Sequence, residues 1–241
     1  MTSTTPVDKE SPPRGVITDG PVRVGYLREF DLVGLNNAAV DDEQATKNRL
    51  LVAAVKLFAD RGYEASSMRE LAAEVGVKAP AIYNHFDSKT QVLSTAVDYA
   101  LSDFLANVLT GLEEFPKQEQ LFELLRRHAR YKTNDVALAR AQDKLVDADF
   151  MRRVLPPASY DRYTAALAGY RAIVRDLVIA AAPQAQSDEA VNLPVLVSAL
   201  IEMVDRVSSW FRPDGSLTGD EIADQCVVIA RRIVEPQAGI G

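Results

Sequence analysis

A chain of 241 residues with 47% hydrophobic and 25% charged residues has the composition of an ordinary soluble globular protein, long enough for one large or two smaller domains. Its single cysteine, Cys226, excludes an internal disulfide framework and a multi-cysteine metal site, and no apolar run approaches the roughly 18 residues that a membrane span needs. No basic stretch leads into an apolar one at the N-terminus, so no secretory signal is read and a reduced cytoplasmic setting is expected.

The net charge of −7 argues at first sight against a nucleic-acid partner, but the charge is uneven. Residues 1–44 carry four basic and eight acidic groups, residues 101–241 carry sixteen and twenty, and residues 45–100 carry seven and six. The middle block is thus almost neutral, which leaves room for a local basic face.

In chain order, residues 1–21 are rich in Ser, Thr, Pro and charge and lack periodicity, which predicts disorder. Val22 to Leu35 are more apolar and suit docking on the body or on a partner; residues 1–41 are therefore read as a flexible N-terminal extension. From Asp42 onward the pattern is helical. Leu50, Leu51, Ala54, Val55, Leu57 and Phe58 form an apolar stripe that Gly62 ends near Arg61. Ser67-Met68-Arg69-Glu70 is a capping box opening a short second helix, which Gly76 ends. A third helix is predicted from Ala79 to Phe86. Pro80 falls in its first turn, where a missing N–H costs nothing because first-turn donors have no intrahelical partner. Ser88-Lys89-Thr90-Gln91 is a second capping box, opening a longer helix through about Leu112.

Further helices are predicted over 117–131, 134–146, 158–182, 188–211 and 218–235, the last capped by Thr218 with Glu221. Pro116, Pro156-Pro157, Pro183 and Arg212-Pro213-Asp214-Gly215 mark the breaks. No segment shows strand alternation. The fold class is all-α: an N-terminal three-helix unit over 42–93 and a larger helical bundle over 94–241.

Two short helices joined by Gly76-Val77-Lys78 make a helix-turn-helix, whose second helix can enter a DNA major groove. Leu71, Ala72, Val75 and Ile82 would pack inward, leaving Lys78, Ala79, Pro80, Ala81, Tyr83 and Asn84 mostly outward. Small Ala79 and Ala81 allow a close approach to bases, while Lys78 and Tyr83 reach phosphates. Lys89 lies in the first turn of a helix, where a cation opposes the helix dipole; a phosphate held there would reverse the sign. That favours a phosphate contact over a solvated lysine. His85 has two readings, a partly buried hydrogen-bonded ring or a phosphate contact. Ser67 and Arg69, at the start of the second helix, complete the set of DNA-contact candidates.

These residues carry a resemblance. Leu57-Phe58, Gly62-Tyr63, Ser66 to Ala72, Gly76-Val77, Ile82 to Phe86 and Ser88 to Leu93 together resemble the DNA-binding domain of the TetR/AcrR family, over about a fifth of the chain. The family's usual serine before the recognition helix is Lys78 here, which removes a good cap. The resemblance implies a homodimer that binds a pseudo-palindromic operator and releases it when a small molecule enters the C-terminal bundle. It also implies no enzymatic activity, no cofactor and no membrane. Half-sites about 34–36 Å apart, or a related spacing, would follow.

In the C-terminal part, Val191 to Phe211 is apolar nearly all round, and Ile222, Cys226, Ile229 and Ile233 stripe the final helix. Family members pair through their last two helices, so Leu200, Val204, Val207, Cys226, Ile229 and Ile233 are the dimer-interface candidates, with intramolecular core as the competing reading. Trp210 to Thr218, Arg127 to Arg130 and Asp135 to Arg140 look like the effector domain of members that respond to acyl-CoA thioesters. An acyl chain needs an apolar tunnel and a CoA phosphate needs arginines at its mouth, so Arg126, Arg130 and Trp210 are the ligand candidates. A different hydrophobic compound or drug is the alternative effector. Two other classes stay open: an enzyme, although two histidines and no Gly-rich phosphate loop assemble no catalytic or metal set, and a helical adaptor whose helix-turn-helix is only packing.

Overall fold

The computed structural model describes residues 42–186 and 192–235, and among these every regular element is helical. The expectations for residues 1–41 and for a helix start at 188 lie outside the described residues. The helices are α1 (Asp42–Arg61), α2 (Met68–Val75), α3 (Ala79–Ile82), α4 (Lys89–Leu109), α5 (Gln120–Asn134), α6 (Val136–Leu145), α7 (Ala148–Val154), α8 (Pro157–Ala181), α9 (Leu193–Asp205), α10 (Val207–Trp210) and α11 (Gly219–Val234).

The cap chemistry places most boundaries. Ser67 accepts from the Glu70 N–H while Glu70 reaches back to the Ser67 N–H, the reciprocal box that starts α2. Thr218 and Glu221 repeat it at α11. At α4, Ser88 accepts from the Gln91 N–H, but the Gln91 side chain takes the Asp87 N–H instead of that of Ser88. Gly76 closes α2 with φ +75°, a left-handed backbone that L side chains rarely adopt, and the Val77 N–H then reaches back to the Ala72 carbonyl. The chain turns there and α3 follows.

Two predicted helices differ, and one observed α-helix has no predicted counterpart. The third predicted helix is regular only over Ala79–Ile82; it continues to Phe86 as tightened turns, with Asn84 and His85 donating to carbonyls three residues back. The helix expected across 188–211 breaks at Arg206 into α9 and α10. Helix α7 was not predicted. Its seven residues are too few to show a period, and its one sequence signal is Asp147, which caps the Phe150 N–H at 2.8 Å.

Two cores lie along α4. The first gathers Leu50, Ala54 and Phe58 of α1, Leu71 of α2, Ile82, Phe86, and Val92 and Leu93 of α4. It also includes Leu138, Ala141 and Leu145 of α6, Met151 of α7 and Leu155. The helix-turn-helix is thus closed from behind by helices about fifty residues beyond the predicted boundary at 93. The second core joins the far end of α4 to α5, α8, α9, α10 and α11. Each fully buried Leu or Phe contributes roughly 1.5–3 kcal/mol to these cores. Helix α4 is long and apolar enough on average to pass for a membrane span, yet more than half of that stretch is buried between the two cores.

Helix α11 packs closely along α5. A Cβ at Gly219 would stand 2.5 Å from Thr133 Oγ1, so the start of α11 needs a glycine for this approach.

Candidate nucleic-acid interface

The inward set of the helix-turn-helix is buried: Leu71 and Ala72 of α2, Ile82 of α3 and Phe86 after it. With those side chains fixed, Ser67, Arg69, Lys78, Pro80, Tyr83 and Asn84 face solvent, and Ala79, Ala81 and His85 are half-exposed. Tyr83 is the largest apolar body on this face, 55% exposed. The His85 ring lies 6.3 Å from that of Phe86. Lys78 occupies the N-cap of α3 without a side-chain cap bond, so Pro80 and the Ala81 N–H to Lys78 carbonyl bond at 2.8 Å start the helix.

Ser67 is less available than its exposure suggests. Its hydroxyl donates to Glu70 Oε2 and accepts from the Glu70 N–H, and Arg61 binds the other Glu70 oxygen at 2.9 Å. The bonds from Ser67, with Arg61 adding its charge, hold the Glu70 carboxyl below its usual range. Arg69 lies beside this network, exposed and pointing away from the core.

Lys89 corrects the reading made for it. Its ammonium donates to the carbonyls of Tyr63 at 2.7 Å and Ser66 at 2.9 Å, with Glu64 O at 3.4 Å. It also sits 4.3 Å from the centre of the Tyr63 ring. The ammonium has three carbonyl acceptors on the α1–α2 turn, so carbonyl dipoles account for a cation at this helix start. Tyr63 adds a hydroxyl contact to Thr90 at 2.9 Å and edge-on ring contacts to Phe58 and Phe150. Lys89 therefore positions the turn that leads into α2.

The C-terminal candidates separate. Arg126 pairs with Asp224 and Glu123, Arg130 with Asp220 at 2.8 Å, and Trp210 is 54% exposed. Both arginines thus meet acids of α5 and α11. Of the interface candidates, Leu200, Val204, Val207 and Cys226 lie inside the chain's own core, Cys226 with its thiol pushed up by burial. Only Ile229 and Ile233 face outward, joined by Val195 of α9 and Val228 of α11. A helix apolar all round does not announce which side is spoken for.

A polar cluster inside the bundle was missed. The Lys132 ammonium sits between Asp143 Oδ1 at 2.6 Å and Asp205 Oδ1 at 2.8 Å. Ser208 donates to the other Asp143 oxygen at 2.6 Å. His128 Nδ1 meets the Tyr170 hydroxyl at 2.9 Å, and its Nε2, 3.4 Å from Asp205 Oδ1, has no hydrogen-bond partner. Burial pushes the His128 pKa down and that of Tyr170 up. Burial pushes Asp205 up, but His128 and the Lys132 charge outweigh it and hold the carboxyl well below the usual range. Among the described residues, no group of three or more His, Cys, Asp or Glu is arranged to hold a metal.

Comparison with known proteins bears on this architecture directly. Residues 50–96 match the family model described as bacterial regulatory proteins, tetR family, and residues 114–234 match the tetracyclin repressor-like C-terminal domain. The chain belongs to the TetR family of transcriptional regulators. Relatives of this TetR-family regulator include the transcriptional activator FasR of Mycolicibacterium smegmatis, 35% identical over 66 residues, or 27% of this chain and 30% of that one. The match to YerO of Bacillus subtilis likewise spans only 23% of YerO. The repressor KstR2 of Rhodococcus jostii is 22% identical over 187 residues, 76% of this chain and 88% of KstR2. Among solved structures, PfmR of Thermus thermophilus superposes with a TM-score of 0.62 at 25% identity, covering 79% of this chain and all of PfmR. AibR, solved with isovaleryl coenzyme A and operator DNA, gives 0.63 at 25% identity over 76% of this chain and 97% of AibR.

Proposed function

We propose that this TetR-family regulator is a repressor that binds a pseudo-palindromic operator as a homodimer in the cytoplasm and is released by a small hydrophobic effector. The observation that carries the reading is the face of the helix-turn-helix. Ile82 and Phe86 anchor it from inside, while Arg69, Lys78, Tyr83 and Asn84 point outward together. Arg69, Lys78 and Tyr83 hold phosphates; Ala79, Pro80 and Ala81 let the turn approach base edges and thymine methyls. Ser67 keeps α2 capped, His85 lies at the margin of this face, and Lys89 acts behind it on the α1–α2 turn. The partner subunit packs on the face of α9 and α11 that carries Val195, Val228, Ile229 and Ile233, apolar groups that the single chain leaves 41–65% exposed.

The effector class is an acyl-CoA or a related lipid intermediate. Two things support it: the resemblance of the C-terminal segments to acyl-CoA-responsive members, and the likeness to AibR, which was solved with such a thioester. In that case Arg126 and Arg130 exchange Asp224 and Asp220 for phosphate. An effector shifts the equilibrium only by its preference for the non-binding state. The protein has no chemistry of its own in this account.

The test is selection of genomic fragments by the purified protein at low and moderate salt. Enrichment of one palindromic motif, with an affinity that falls by roughly 0.9 log units per log unit of salt for each phosphate held, is expected. A folded protein that enriches no motif at either salt would overturn the reading.

A further inference from the structure

Helix α6 has two faces of opposite chemistry. Leu138, Ala141 and Leu145 belong to the core of the DNA-binding half, and α6 packs along α1. Arg140 and Asp143, on the other side, make polar contacts to the bundle. Arg140 donates to the Ser208 carbonyl at 2.7 Å and to the Phe211 carbonyl at 3.0 Å, at the end of α10. Asp143 takes Lys132 of α5 and Ser208 of α10. Asp205, at the end of α9, shares the same ammonium. So α6 joins the DNA-binding half through apolar packing, and the bundle through Val136 at its start and a few directional bonds made by Arg140 and Asp143.

The two modes differ in tolerance. Apolar packing spreads over many contacts and fixes α6 to α1 as one body. Charge-assisted hydrogen bonds are short-ranged and stereospecific, and here they converge on two side chains, so they set one register of α6 against the bundle. Displacing α6 leaves the buried Lys132 ammonium with Asp205 alone and takes both Lys132 and Ser208 from Asp143, so these bonds are lost together and favour one register.

We propose that the Asp143-centred cluster is the joint that fixes where the DNA-binding half sits on the bundle. Lys132, Asp143 and Arg140 are positioning residues for DNA recognition, an inference that rests on the reading of this chain as a DNA-binding regulator. None of the three lies on the helix-turn-helix face. They act by holding α6, and with it α1, at one angle, and hence by setting the distance between the two recognition helices of a dimer. Asp205 is the member shared with the rest of the bundle, since Lys132 and His128 both approach its Oδ1. A neutral residue there withdraws one of the two carboxylates from Lys132.

The test compares full-length Asp143→Asn with full-length Leu177→Ala, a cavity variant in the second core on α8, away from the α9 and α11 face. Two quantities are read on each: amide hydrogen exchange along the chain and affinity for the palindrome that the parent selects. Asp143→Asn is expected to speed exchange in α6 and α1 while α5 and α11 keep their protection, and to weaken DNA binding about tenfold. Leu177→Ala is expected to speed exchange in α8 with little change in DNA affinity. Equal loss of affinity in both variants, or loosening of the whole chain in Asp143→Asn, would overturn the proposal, since either is what mere stability loss produces. If the parent selects no palindrome, the regulator reading fails by itself. Exchange then still decides the joint: selective loosening of α6 and α1 supports it, and unchanged or uniform exchange refutes it.

Discussion

Two lysines tie distant segments together in this protein, and they do it with opposite chemistry. Lys89 places its ammonium on carbonyls of the Tyr63–Ser66 turn and over the Tyr63 ring. Lys132, with 8% of its side chain exposed, places its own between the carboxylates of Asp143 and Asp205. The first joint uses neutral dipoles, has no titratable acceptor and keeps its strength across ordinary pH. The second uses charges that can be protonated or captured by a competing group. A fixed contact holds the helix-turn-helix together, and a breakable one holds it to the bundle. That division suits a regulator whose DNA-binding unit stays intact while its placement changes.

The largest effect that breaks this comparison is expected from Lys132→Ala. Removing one partner of a buried ion pair leaves the other uncompensated, so a loss of about 3–5 kcal/mol in denaturant unfolding is expected. A loss under about 1 kcal/mol would show that water already serves both carboxylates. Next comes Lys89→Met, which keeps the stem over Tyr63 and removes the bonds to the carbonyls. Hydrogen bonds from a charged donor contribute roughly 1.5–3 kcal/mol, and the loss should be the same at neutral and mildly acidic pH. A loss that shrank on acidification would mean that a carboxylate takes part. Tyr63→Phe sharpens the first joint further: only the hydroxyl contact to Thr90 goes, for about 1 kcal/mol by thermal unfolding, with DNA affinity retained.

The smallest effect is on pH dependence and belongs to the second joint alone. His128 is faced by Tyr170, Asp205, Lys132 and Asp143, and burial lowers its pKa below the ordinary 6.5. A group held neutral in the fold takes its proton first in the unfolded chain, so stability falls as pH drops below about 6.5. Asp205, whose pKa is also lowered, adds a second loss as pH falls below its ordinary value of 3.8. His128→Gln should flatten the first slope and leave the second. An unchanged profile between neutral pH and pH 5 would remove His128 from the account.

The sequence shows the joints unevenly. Helix starts at Ser67, Ser88 and Thr218 and the turn at Gly76 are local chemistry, written within four residues, and they were legible. The outward set of the helix-turn-helix was legible too, because Ile82 and Phe86 at i, i+4 spacing fix the inner face. Lys89 was misread because its acceptors are backbone carbonyls 23–26 residues upstream, which any sequence supplies. Lys132, Asp143 and Asp205 were unreadable for a related reason: their pairing follows the packing of α5, α6 and α9, and each alone looks like a solvated charge. The sides of α9 and α11 hid in the same way. Leu200 and Cys226 differ from Ile229 and Ile233 only by which neighbour arrives, and α5 and α9 decide that.

The account depends most on sequence-specific binding at the helix-turn-helix face. The most direct measurement is the affinity of the purified protein for its selected palindrome and for a scrambled duplex, across a salt series, for the parent and Lys78→Ala. The account predicts tight binding to the palindrome alone, a steep salt slope, and a slope shallower by about one phosphate contact in the variant. Equal affinity for both duplexes, with the same slope in parent and variant, would contradict it.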